Sequence, residues 1–133
     1  GLVAYGPLAR GFLTGKYRRG EVVPKQYRLS DPLPIYNGIL TDANFDRLAQ
    51  LEAFAKERGH TVGELAIAWI LCNPCTASVL AGGTNTDQVS ANVAAIGWRL
   101  TDEDVSEVDR ITHDIVTVTG ATPLIAYEYR GSF

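Results

Sequence analysis

Three features of the 133-residue sequence predict an α/β fold. Two short apolar runs, Leu2-Val3-Ala4-Tyr5 and Val79-Leu80-Ala81, each end in a glycine-containing bend. Segments with apolar residues at helical spacing lie between and after them. Strands that feed helices through glycine bends are the pattern of parallel α/β units.

The first strand, Gly1 to Tyr5, runs into Gly6-Pro7-Leu8-Ala9-Arg10-Gly11. Pro7 has no N–H for a sheet ladder, so the strand ends before it. Gly6 and Gly11 bracket a turn, and Phe12 to Tyr17 leads on to Arg18 and Arg19. Lys16, Arg18 and Arg19 are suited to neutralise a phosphate. Taken one at a time, they read more simply as a solvated basic loop. Residues 21–38 carry Pro24, Pro32 and Pro34 and little periodicity. A connection this long suggests a lid or binding loop, with a disordered stretch as the alternative.

Thr41-Asp42 opens a helix with Phe45, Leu48, Leu51, Phe54 and Ala55 on one face, and Gly59 stops it. Thr61-Val62-Gly63-Glu64 has the form of a capping box and starts a second helix to about Cys72, with Leu65, Ala66, Trp69 and Ile70 expected inside. Asn73-Pro74 ends it. A second strand is expected near Ser78–Ala81, then a bend through Gly82, Gly83, Thr84 and Asn85. The helix after it, from about Thr86 to Ala95, carries Val89, Val93 and Ile96 on its apolar side. Thr101-Asp102-Glu103-Asp104 caps a final helix with Val105, Val108 and Ile111 facing inward. The tail from Val116 holds Tyr127 and Tyr129 without a strong pattern.

The second bend suggests a ligand. Glycines let a backbone come close to a bound group, and a helix start suits a phosphate. Gln88 and Asn92 share one helix face beside the bend. Residues 78–92 therefore read as a site for a phosphorylated ligand carrying a base. An ordinary βα turn in which Thr84 or Thr86 caps the helix reads equally well.

Composition narrows the classes. At 46% hydrophobic and 20% charged residues, the chain should form a core. A net charge of −3 gives no support for nucleic-acid or membrane-surface binding. No apolar run approaches bilayer length and no basic-then-apolar leader opens the chain, so a cytoplasmic location is expected. The sequence has no Met and opens on Gly1 inside a strand pattern. Residues 1–133 are thus expected to be a single fragment of a longer protein. Two such units make only part of a parallel barrel, which needs roughly 250 residues, and would leave a sheet edge open to self-association.

Cys72-Asn73-Pro74-Cys75 is a C-x-x-C, but Cys72 falls at a helix C-terminus, where the dipole disfavours a thiolate. Only His60 and His113 could extend a metal site, and both lie far along the chain. Each follows or ends a helix and reads as a dipole partner. Trp69 and Trp98 read as core or cover. Tyr5 differs, because it ends a strand where barrel ligands bind.

Together these motifs resemble the aldo-keto reductase family, in the branch of bacterial reductases and potassium-channel beta subunits. Tyr5-Gly6-Pro7-Leu8-Ala9-Arg10-Gly11 with Thr14-Gly15-Lys16-Tyr17 resembles the family's seventh-strand segment. Leu65-Ala66-Ile67-Ala68-Trp69 resembles the helix that follows. Ser78 to Asn85, with Gln88 and Asn92, resembles the eighth-strand cofactor segment, and Leu100-Thr101 opens a counterpart of the closing helix. The resemblance implies a (β/α)8 TIM barrel, of which this chain holds strands seven and eight with their helices. It implies NADP(H) as cofactor, with NAD(H) the alternative, and a small carbonyl substrate. It places Tyr5 on the nicotinamide and Gly6, Pro7, Leu8 and Gly11 along the pyrophosphate, with Lys16 or a nearby Arg reaching phosphate. Gly82, Thr84 and Gln88 fall at the adenosine ribose and its 2′-phosphate, and Asn92 at the adenine. Ala91 stands where the family often has Glu, and the second bend lacks the Lys and Arg many members carry. The family's catalytic Asp, Tyr, Lys and His belong to earlier strands and match no residue here. The resemblance thus implies a cofactor-binding half whose partner is the N-terminal half of the barrel, inactive alone, or else a non-enzymatic cofactor-sensing module.

Overall fold

The computed structural model describes residues 1–31 and 38–113. The expectations for Pro32, Pro34 and the tail with Tyr127 and Tyr129 lie outside the described residues. Strands β1 (Leu2–Tyr5) and β2 (Thr76–Leu80) frame two helices, α1 (Asp42–Glu57) and α2 (Val62–Leu71). Helices α3 (Thr86–Ala94) and α4 (Asp102–Thr112) follow β2. Among the described residues the sheet has two strands, paired in parallel. Val3 lies opposite Ser78, Ala4 opposite Val79 and Tyr5 opposite Leu80, with an irregularity between Leu2 and Val3. Parallel strands need a long crossover, which α1 and α2 provide.

Local chemistry explains the helix boundaries. The Thr41 hydroxyl accepts the Asn44 N–H at 3.2 Å and caps α1. Gly59, at φ 77°, closes α1 with a Schellman motif: its N–H reaches the Lys56 carbonyl at 3.0 Å and the His60 N–H reaches Ala55 at 3.0 Å. Both α2 and α4 begin in full capping boxes, Thr61 with Glu64 and Thr101 with Asp104. Strand β2 starts two residues earlier than the sequence suggested, directly after the turn at Asn73.

The core lies in the helical layer. Phe12, Tyr17 and Leu29 from the first loop pack with Leu48, Leu51, Phe54, Val62, Leu65, Val108 and Ile111. The inner face of α2 differs from expectation. Ile67 and Ala68 are buried, whereas Trp69, expected inside, is 36% exposed and its indole N–H donates to Asp109 Oδ1 of α4 at 2.9 Å. Valines 89 and 93 of α3 and the nearby Ile96 are exposed, so the apolar stripe read from the sequence is uncovered among the described residues. His60, just past the end of α1, makes two further contacts. Its ring stacks on Trp98 at 4.0 Å and its Nδ1 lies 3.6 Å from Glu64 Oε1, tying the α1–α2 link to the segment before α4.

The capping carboxylates carry a pH dependence. Burial pushes the Glu64 carboxyl up, but the Thr61 amide and hydroxyl and the neighbouring His60 outweigh it and hold the group below its ordinary value. Burial likewise opposes, and the Thr101 amide and Arg58 guanidinium overcome, at Asp104, whose Oδ1 accepts from Arg58 Nε at 2.9 Å. Depressed native values mean that the unfolded chain binds more protons, so this stabilisation is complete at neutral pH and disappears as pH falls through the native values. Stability should drop below about pH 4. The double variant Glu64→Gln/Asp104→Asn should flatten that slope in denaturant titrations at a series of pH values. A slope equal to wild type would remove these two groups as its source.

Candidate functional site

The parallel register settles where the two bends lie. Tyr5 and Leu80 are opposite partners at the ends of their strands, so Gly6 and Ala81–Gly82 leave the sheet at the same edge. This is the carboxyl end of both strands, where α/β folds gather ligand-facing loops.

The first bend is two tight turns joined across a kink. Arg10 (φ 61°) and Gly11 (φ 91°) break the Ala9–Thr14 segment, and Gly6 stands at φ 69°. The Ala9 N–H returns to Gly6 O at 3.1 Å and the Gly11 N–H to Leu8 O at 2.8 Å. Pro7 is buried and Leu8 half-buried, so they shape the bend from beneath. Tyr5 is 72% exposed. Its hydroxyl accepts from Arg10 Nη1 at 3.1 Å, and that hydrogen bond and charge hold the phenol below its ordinary pKa. Lys16 folds back against Gly11, with its Nζ 4.5 Å from the Tyr27 ring centroid and 5.3 Å from that of Tyr17. Arg18 and Arg19, the other basic candidates, instead face α1: Arg18 lies 3.6 Å from Glu52, and Arg19 pairs with Asp42 and Asp46.

The second bend is held by its own helix. Asn85 is the cap, its side chain accepting the Gln88 N–H at 2.9 Å, in place of the Thr84 or Thr86 that the sequence suggested. Gln88 Oε1 accepts both the Thr84 N–H at 2.8 Å and the Thr84 hydroxyl at 3.1 Å. Asn92 Nδ2 donates to the Gly82 carbonyl at 3.2 Å. The second bend is thus tied to α3 by two side-chain pairs, Thr84 with Gln88 and Gly82 with Asn92.

Two residues were missed by sequence reasoning. Arg10 engages Tyr5, and Asn85 sets the start of α3. Asparagine's strong N-cap preference was a usable signal for the second; nothing in the sequence marked the first. No group of three or more potential metal ligands occurs among the described residues. No helix among them is long and apolar enough to cross a membrane.

A parallel α/β unit with two glycine bends at one edge defines a piece of a barrel- or Rossmann-like architecture. The chain belongs to the Aldo/keto reductase family, whose model matches residues 1–113. It is 32% identical over 115 residues to an L-glyceraldehyde 3-phosphate reductase of Escherichia coli O157:H7, covering 83% of this chain and 33% of that protein. A probable voltage-gated potassium channel subunit beta of Arabidopsis thaliana is 36% identical over 97 residues, covering 72% and 30%. The solved glycerol dehydrogenase of Gluconobacter oxydans superposes with a TM-score of 0.67 at 31% identity, over 91% of this chain and 36% of that one. The chain spans about a third of the length of the curated relatives it matches. The family fold is an α/β barrel, and the present strands and helices are a partial unit of that kind.

Proposed function

We propose that this chain supplies the cofactor-binding part of an oxidoreductase that uses NADP(H) to reduce aldehydes or ketones to alcohols, and that it corresponds to strands seven and eight of the barrel. The observation that carries the reading is the pairing of Tyr5 with Leu80, which sets both glycine bends on one edge. The residues present fit a dinucleotide. A Cβ added at Gly6 or Gly82 would meet no atom within 4 Å, so the backbone at both bends is open to close approach. Lys16 brings a cation to the first bend and Tyr5 an exposed ring. The amides of Gln88 and Asn92 suit the polar edge of an adenosine.

On this reading Tyr5 stacks on the nicotinamide, and Gly6, Pro7, Leu8, Gly11 and Lys16 flank the pyrophosphate. Gly82, Thr84 and Gln88 hold the ribose and its 2′-phosphate, and Asn92 the adenine. Thr84 and Gln88 are uncharged, which keeps NAD(H) as the competing cofactor. The bound nicotinamide would supply hydride to the carbonyl carbon. This chain orients it, while the proton comes from a Tyr the sequence does not match. The 133-residue chain is therefore expected to bind NADPH, seen as a change in cofactor fluorescence, yet to oxidise none with a panel of aldehydes. Absence of binding would end the dinucleotide reading, and turnover would end the claim that catalysis needs other residues.

A further inference from the structure

Tyr17 is 3% exposed, yet its hydroxyl joins two segments that the sequence gives no reason to connect. It donates to the Arg10 carbonyl at 3.3 Å and accepts the Leu29 N–H at 3.3 Å. The first partner lies in the kink of the glycine bend. The second lies in the Arg28–Ser30 turn of the loop that follows. The Tyr17 ring meets Tyr27 edge-on at 5.5 Å, and the two rings flank the Lys16 ammonium. That ammonium reaches the bend because Gly11 has no side chain: a Cβ there would stand 2.9 Å from Lys16 Nζ.

We propose that Tyr17 is a positioning residue for the first bend, locking the Arg10 carbonyl to the Leu29 amide and holding Lys16 over Gly11, so that the bend and the loop to Asp31 respond to a phosphate-bearing ligand as one unit. This rests on the dinucleotide reading above. Three features support it. Arg10 holds a positive φ of 61°, a conformation that a non-glycine residue keeps only when its surroundings enforce it. The Arg10 carbonyl is fixed from outside the turn, by a residue seven positions on. Finally, the same side chain sets the backbone and, through its ring, the Lys16 cation that folds against Gly11.

Tyr17→Phe keeps the ring and removes the hydroxyl. In the full 133-residue chain it should weaken NADPH binding about tenfold, the scale of one or two lost hydrogen bonds. Binding of adenosine 2′-monophosphate, which lacks the pyrophosphate and is assigned to the second bend alone, should stay within about twofold of wild type. Hydrogen exchange at the Gly11 and Leu29 amides should accelerate together. Unchanged NADPH affinity, or exchange rising at one amide alone, would overturn the proposal while leaving the dinucleotide reading intact. Equal weakening of both ligands would also overturn it, by showing general loosening. A wild-type chain that binds neither ligand would remove the dinucleotide reading and the positioning role with it.

Discussion

Replacing Phe54 by alanine is expected to destabilise the chain by about 3–5 kcal/mol, the usual range for deleting a buried aromatic ring. Phe54 is 6% exposed and belongs to the main core cluster. Its loss removes more than apolar area. The Arg58 guanidinium lies 3.6 Å from the ring centroid, and Arg58 Nη1 also donates to the Phe54 carbonyl at 3.2 Å. Arg58 in turn reaches Asp104 in the first turn of α4. The ring therefore supports the arginine that joins α1 to α4, and the cavity would loosen both. Such a loss is a large share of the stability of an ordinary domain. Urea unfolding followed by Trp fluorescence measures it, and a change below about 1 kcal/mol would show that this core collapses around the gap or was never well packed.

Gly11→Ala should have the largest effect on binding. Gly11 has φ 91°, well beyond the left-handed minimum near 57° that an L-residue tolerates best. The strain should cost about 1–2 kcal/mol. The new methyl would also stand 2.8 Å from Lys16 Cε and 2.9 Å from its Nζ, so the ammonium must leave the bend. NADPH affinity is expected to fall at least about tenfold, equivalent to about 1.4 kcal/mol, from the lost cation alone. Gly97→Ala is the control, since its Cβ would meet nothing within 4 Å. Isothermal titration of the two variants decides the matter. If Gly11→Ala binds NADPH like the control, the first bend does not hold the pyrophosphate.

Much of this fold was legible because its determinants are local. The Thr61/Glu64 box and the Gly59 stop each act within one turn, so sequence spacing places them. The glycine bends were legible for the same reason, since a positive φ at Gly6 and Gly11 is a property of the residue type. The inward face of α2 was not. Helical period groups residues on a face, but how α2 packs on its neighbours decided that Ile67 and Ala68 would be buried and that Trp69 would stay partly exposed beside Asp109. The stripe on α3 is a similar case, because periodicity marks an apolar side without saying whether anything covers it.

By itself, the sequence determined the element order, the caps of α1, α2 and α4, the two bends and the family, because all of these are written in short-range spacing. Only the tertiary structure decided that the bends share an edge, and that Arg10 and Tyr17 fix the first bend. Those outcomes depend on strand register and on side chains meeting distant backbone groups. Neither is set by the residues adjacent in the chain.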